Sequence, residues 1–327
     1  MTSPTSTLLS TRKLSVGYGS HILLEDLDLT MEGGKLICFM GPNGSGKSTL
    51  IRTLAGLQEP IKGQIMRLPG SDKHLQLAVV LTDRVTSMNI SVQELIAFGR
   101  YPYLNWNASL NDHDRAIVRQ AIEQVHLNHL IHKRLYELSD GQLQMVMIAR
   151  ALAQDTPVIL MDEPTAHLDL NNRLEMMKVL LNLTRSMNKA ILVATHELDL
   201  ALQTADEIWL AGNGRNIIRG IPEDLVLRGV FDDIFQFKGF DLKTGKVHHE
   251  INRQTIIQLH GNGHEFLWTK NALERSGFSV TDNNASHLVT VVSENTNNTW
   301  ILDNDLQFMS ISDLLNHLIK AGKKEYV

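Results

Sequence analysis

The stretch that decides the fold runs Leu36-Ile37-Cys38-Phe39-Met40-Gly41-Pro42-Asn43-Gly44-Ser45-Gly46-Lys47-Ser48-Thr49. Its first five residues are unbroken apolar, as in a central parallel strand covered on both faces. A glycine-rich turn follows, and a helical pattern begins at Lys47. Glycines in this context let the backbone curl so that several N–H groups converge on a phosphate. The helix start adds its positive end. Lys47 is placed to reach β- and γ-phosphates and Ser48 to offer a hydroxyl to Mg²⁺. Gly41, Pro42, Asn43, Gly44, Ser45, Gly46 and Thr49 complete the predicted nucleotide cradle.

A second apolar run, Val158-Ile159-Leu160-Met161, ends in Asp162-Glu163. Asp162 is expected to serve Mg²⁺, and Glu163 to hold a water against the γ-phosphate. Two acidic residues after a strand say little alone; behind a phosphate loop they say much. A third run, Ala190–Ala194, leads to His196. Apolar runs alternating with helical patterns make the segment from residue 1 to about 238 an α/β core with a mixed sheet. Leu27, Leu29 and Met31 alternate with Asp26, Asp28 and Thr30 and read as one half-buried antiparallel strand.

Residues from about 89 to 155 read as a helical subdomain. Ser91-Val92-Gln93-Glu94 has capping-box spacing, and Ile117, Val118, Ala121, Ile122 and Val125 form a helical stripe that reads as core. Residues 239–327 change character and read as a small α+β module: strands at Gln254–Leu259, Phe278–Thr281, Leu288–Ser293 and Thr299–Leu302, and helices at His264–Arg275 and Ser312–Ile319. His248, His249, His260, His264 and Glu265 fit no metal-site spacing and read as structural or solvated.

Composition narrows the class. The chain has 327 residues and a net charge of -5, which gives no basic excess for nucleic-acid binding. No apolar run is long enough to cross a bilayer. Residues 1–11 have no apolar core and do not read as a secretory signal. The single cysteine, Cys38, cannot form an internal disulfide and fits a reducing compartment.

Leu138-Ser139-Asp140-Gly141-Gln142 resembles the LSGGQ signature of ABC ATPases, with Asp140 at the usual third-position glycine. Over residues 8 to about 238 the chain resembles the ATP-binding subunits of ABC transporters. The resemblance implies that Ser139, Gly141 and Gln142 close on ATP held by a twin subunit. It implies that Asp169, in Ala166-His167-Leu168-Asp169, lies in the D-loop across that dimer interface. It also implies that His196 is the switch histidine facing the γ-phosphate, and that Tyr18 stacks on adenine.

The family's usual glutamine after the next strand is missing. Val79-Val80-Leu81-Thr82-Asp83-Arg84 puts Asp83 in its place, where a carboxylate can also serve Mg²⁺. The segment Phe98-Gly99-Arg100-Tyr101-Pro102 resembles importers of ferric siderophores, haem and cobalamin. The expected protein is thus an import ATPase using ATP and Mg²⁺, acting as a homodimer. It would sit on a membrane permease at the cytoplasmic face and serve, indirectly, a substrate-binding protein. The alternative is a soluble ABC ATPase without a permease. Against it, the stretch between Lys47 and Ser139 carries no sustained heptads of the kind repair-type members insert.

Overall fold

Strand burial explains the sheet. The structure, a computed structural model, describes residues 6–67, 77–81, 89–104, 109–166, 168–212, 214–236, 240–242, 246–247, 255–281, 285–294 and 297–324. The chain divides into two compact units, Met1–Gln236 and Phe237–Val327.

The first unit runs β1 (Thr7–Tyr18), β2 (His21–Leu27), β3 (Thr30–Glu32), β4 (Leu36–Met40), α1 (Lys47–Ala55), β5 (Lys62–Arg67) and β6 (Leu77–Val80). Then come α2 (Val92–Ala97), α3 (Asp112–Gln124), α4 (Asp140–Ala153), β7 (Val158–Asp162), α5 (Leu170–Met187) and β8 (Ala190–Ala194). It closes with α6 (Leu198–Thr204), β9 (Glu207–Ala211), β10 (Ile217–Gly220), α7 (Pro222–Leu227) and α8 (Val230–Phe235).

One sheet has the order β10-β9-β4-β8-β7-β6, parallel except for β10 against β9. Every residue of β4, β7 and β8 is buried, which is why those strands carry no polar alternation. Within β4, burial pushes the Cys38 thiol up to about 12. The register sets Phe39 level with Ala194, and Ala194 level with Asp162. The three loops that follow therefore leave the sheet side by side, at the carboxyl ends of adjacent parallel strands, where ligands of α/β folds bind.

A smaller antiparallel sheet joins β2, β1, β3 and β5. Here the single strand expected across Leu27–Met31 is interrupted: β2 ends at Leu27 and β3 begins at Thr30. Side chains replace the ladder at the break. The Thr11 hydroxyl donates to Leu27 O and accepts from Leu29 N, and Asp28 accepts from Lys13 N. Leu27, Leu29 and Met31 are all buried nonetheless.

The helical segment is fixed by its caps. Ser91 and Glu94 form the capping box of α2, and Asn111 and Asp114 form that of α3. Between them Phe98–Tyr103 makes a 3₁₀ helix against α4. Gly99 is required there, since a Cβ would lie 2.3 Å from the Arg150 carbonyl oxygen.

The second unit begins with a two-residue pairing of β11 (Phe240–Asp241) and β12 (Lys246–Val247). It continues β13 (Ile256–His260), α9 (Gly263–Arg275), β14 (Ser279–Thr281), β15 (His287–Glu294), β16 (Asn297–Leu302), β17 (Leu306–Phe308) and α10 (Ile311–Lys324). Its five-stranded sheet has the order β14-β13-β15-β16-β17, with β13 parallel to both neighbours. Ile257, Leu259, Val289 and Trp300 pack with Leu273 of α9 and Leu314 of α10. The Trp300 indole donates to the buried Thr269 hydroxyl at 2.6 Å. Strand β17 has no counterpart in the sequence reading: only three residues long, it shows too little alternation to detect.

Candidate active site

The phosphate loop joins β4 to α1. Gly41 has φ +155°, and a Cβ there would sit 2.7 Å from the Ala211 Cβ and 2.9 Å from Ser45 Oγ. Gly46, the residue before α1, has φ +97°, a conformation that side chains other than glycine's rarely adopt. Pro42, Asn43 and Gly44 form the exposed crest. The buried Lys47 arches back across the loop, its amine donating to Gly41 O at 2.8 Å and Pro42 O at 3.1 Å. Burial lowers its pKa, against the opposing pull of Glu163 and then Asp162, so the amine shares a space with both carboxylates.

These residues fit a magnesium polyphosphate. Among the described residues Ser45 Oγ is buried with no hydrogen-bond partner, and the Lys47 ammonium donates to backbone carbonyls of the loop. Phosphate oxygens are the acceptors such donors lack. The Ser48 hydroxyl hydrogen-bonds the buried Asp162 carboxylate, which pairs the two oxygen donors predicted for Mg²⁺. Burial raises the Asp162 pKa, offset in part by that hydrogen bond. A divalent cation would favour the charged form. Asp83, the third predicted donor, and His167 of the D-loop lie outside the described residues.

Glu163 follows directly, with φ +48°. A non-glycine residue in that region is strained, and the strain is held by a hydrogen bond from Glu163 N to Ala194 O at 2.9 Å. Its Oε1 lies 3.8 Å from Nδ1 of the half-exposed His196. The structure thus brings Lys47, Ser48, Asp162, Glu163 and His196 to one edge of the sheet. Tyr18, at the end of β1, is 57% exposed, and its hydroxyl accepts from Thr49 Oγ1 at 3.2 Å, beside the start of α1.

A second group stands on α4 and α5. Ser139 caps α4 and accepts from Gln142 N, while Gln142 Oε1 accepts from Ser139 N. Asp140 is the first residue of that helix. Gly141 is buried, and a Cβ would stand 3.2 Å from the Asn172 side chain of α5. Asp169 caps α5, accepting from Asn172 N at 2.8 Å and Asn172 Nδ2 at 2.9 Å.

Two residues that no sequence motif marks, Arg173 and Glu197, stand beside this machinery. Arg173 Nη1 donates to Glu197 Oε1 at 2.6 Å, and Glu197 Oε1 lies 3.4 Å from His196 Nε2. The available signals were a carboxylate directly after His196 and an arginine four residues after Asp169. In the second unit, the described residues hold no cluster of three or more metal-ligating side chains. There Gln258 Nε2 and His260 Nε2 contact each other at 3.0 Å. His248 and His249 lie outside the described residues.

Comparison with known proteins agrees with this geometry. The ABC transporter family model matches residues 24–166, and the iron ABC transporter C-terminal domain model matches residues 253–319. An uncharacterized ABC transporter ATP-binding protein of Methanocaldococcus jannaschii is 37% identical over 78% of this chain and 92% of its own length. The achromobactin transport ATP-binding protein of Dickeya dadantii is 35% identical over 70% of this chain and 88% of its own. Among solved structures, a metal-chelate type ABC transporter in an inward-facing conformation aligns with TM-score 0.64 and 28% identity. That alignment covers 71% of this chain and 90% of the other. The chain belongs to the ATP-binding proteins of ABC transporters, which are ATPases. Its first unit holds the ATP-binding domain match and its second the iron-transporter C-terminal match.

Proposed function

We propose that this ATPase energises an importer of a chelated metal cargo, a ferric siderophore, haem or cobalamin. It acts as a homodimer docked on a membrane permease at the cytoplasmic face and serves, indirectly, a substrate-binding protein. The observation that carries the catalytic part is the convergence of Lys47, the Ser48–Asp162 pair and the Glu163–His196 pair at the ends of three neighbouring strands. The cargo class is supported by the C-terminal match and by the achromobactin and metal-chelate relatives. No helix among the described residues is long and apolar enough to cross a membrane, so a permease would provide the path.

In this reading, Mg²⁺ would, when bound, supply positive charge to offset that of the triphosphate. The Lys47 amine exchanges the Gly41 and Pro42 carbonyls for phosphate oxygens. Ser48 and Asp162 would hold the cation, and Glu163 would accept the proton of the attacking water. His196 donates to the γ-phosphate, and Tyr18 stacks on the base. Ser139, Gly141 and Gln142 complete the partner's site, with Asp169 in the interface between the two cores.

Asp83 is assigned to the Mg²⁺ site on sequence grounds. Asp83→Ala is expected to reduce Mg²⁺-dependent turnover more than ATP affinity, while Asp83→Gln keeps substantial activity through its amide oxygen. Steady-state rates with a parallel fluorescent-nucleotide titration check this. Unchanged rates in both variants would remove Asp83 from the site.

The second unit is proposed to hold the two chains together, raising the effective concentration of the cores. It carries none of the site residues. A chain ending near Phe237 should therefore bind ATP with the affinity of the full chain. Its hydrolysis per subunit should fall away sooner on dilution. Matching dilution curves for the short and full chains would contradict that role. Mg²⁺-dependent hydrolysis by the full chain over the same dilution series tests the parent reading, since it needs two cores per active unit.

A further inference from the structure

We infer that Arg173 is a positioning residue for ATP hydrolysis, acting with Glu197 to lock the loop carrying His196 to the loop that follows Glu163. The inference rests on the roles proposed above for Glu163 and His196.

Arg173 lies in the first turn of α5, where Asp169 caps the helix and Arg173 N bonds to Asp169 O at 3.0 Å. From that anchored position the guanidinium reaches two segments at once. Its Nε donates to Leu168 O at 2.6 Å, and its Nη1 to Glu197 Oε1 at 2.6 Å. The first acceptor belongs to the backbone that leads from Glu163 to Asp169. The second belongs to the residue after His196, whose own backbone N–H is held by Thr195 Oγ1 at 3.0 Å.

Apart from this bridge, the backbone tie between the two loops among the described residues lies at their roots. Glu163 N bonds to Ala194 O, and the paired strands β7 and β8 stop there. Beyond that rung, His196 is 55% exposed and its two ring nitrogens face Glu163 and Glu197 at 3.8 and 3.4 Å. Such contacts are too long to fix an imidazole by themselves. The short Arg173 contacts supply the rigidity. Both partners are mostly shielded, at 29% and 19% side-chain exposure, so solvent screens the pair less than a surface salt bridge.

The planar fork is essential to the arrangement, because a lysine is a single point donor and cannot hold a carbonyl and a carboxylate in fixed directions. Arg173 also compensates the Glu197 charge beside a cleft that already holds Asp162 and Glu163. One side chain thus adjusts both the geometry and the charge of the edge where water and γ-phosphate must meet.

The test measures kcat, ATP KM and melting temperature of the full chain and its variants at high protein concentration. Arg173→Met and Glu197→Ala should each lower kcat by roughly tenfold to a hundredfold, the loss typical of mispositioned catalytic groups, with KM within about twofold. The double variant should be no slower than the slower single variant, because the two act in series. Glu197→Gln, which keeps the acceptor oxygen, should retain most of the rate. Arg173→Lys should fold with near-normal melting temperature yet remain slow. A kcat for Arg173→Met within twofold of the parent would overturn the inference, as would multiplying losses in the double variant. If Arg173→Met does not fold, a wild-type rate in Arg173→Lys would overturn it instead. His196→Ala separates the two levels. A fully active His196→Ala sinks the underlying role of His196, whereas an inactive His196→Ala beside a fully active Glu197→Ala sinks only the clamp.

Discussion

Glu163→Gln is expected to stop hydrolysis while leaving ATP binding intact, so that ATP accumulates in a closed dimer. The substitution keeps the shape of the side chain and removes the base. Glu163 follows Asp162 at the carboxyl end of β7, and its strained φ of +48° fixes where the side chain leaves the backbone. A positioned general base contributes about 10²- to 10⁴-fold to rate, and the loss in kcat should fall in that range. Lys47, the Ser48–Asp162 pair and the glycine turn are untouched, so nucleotide affinity should change by less than about twofold. Stopped-flow nucleotide binding and phosphate release on the same preparation measure both quantities. A variant that turns over ATP at the parent rate would remove Glu163 from the chemistry.

The second large effect is on stability. Arg100 and Asp114 form an ion pair at 2.9 Å with both side chains only 3% exposed. The Arg100 guanidinium also donates to Ala153 O at 3.1 Å and lies 3.8 Å over the Tyr103 ring. The other oxygen of Asp114 accepts from Asn111 N at the start of α3. Asp114→Ala would leave a buried guanidinium without its counter-charge and remove the half of the capping box that the Asp114 carboxylate makes, at a cost of about 3–5 kcal/mol. Urea unfolding of the first unit should shift to a clearly lower midpoint. Replacing both partners, Arg100→Leu with Asp114→Ala, should recover part of the loss, because no charge is left unpaired. An unchanged midpoint for Asp114→Ala would mean that water reaches the pair. The site is relevant to function because Ala153 ends α4, the helix that Ser139 caps.

The legible parts of the chain were those whose signal is local. The apolar runs Leu36–Met40 and Ala190–Ala194 coincide with strands β4 and β8, because a strand buried on both faces needs no partner to announce itself. The phosphate loop and the Ser91 capping box are likewise contiguous motifs, read from spacing alone. What escaped depends on residues distant in sequence. The break between β2 and β3 is made by Thr11, far upstream, substituting a hydroxyl for a ladder partner. Arg100 belongs to the segment Phe98–Pro102 that resembles importer ATPases, but its buried pairing with Asp114 and Ala153 shows only once the chain is folded. Arg173 and Glu197 sit in ordinary helix-start sequences, and only the pairing of β7 with β8 brings them together.

If ATP turnover by this chain drives import of a chelated metal, uptake in cells must depend on it. The most direct measurement is uptake of labelled ferric siderophore, haem and cobalamin by cells lacking this chain, complemented with the parent or with Glu163→Gln. Restored uptake of one of the three by the parent, and none by Glu163→Gln, is the predicted result. Uptake of all three at the same rate with and without the chain would contradict the account.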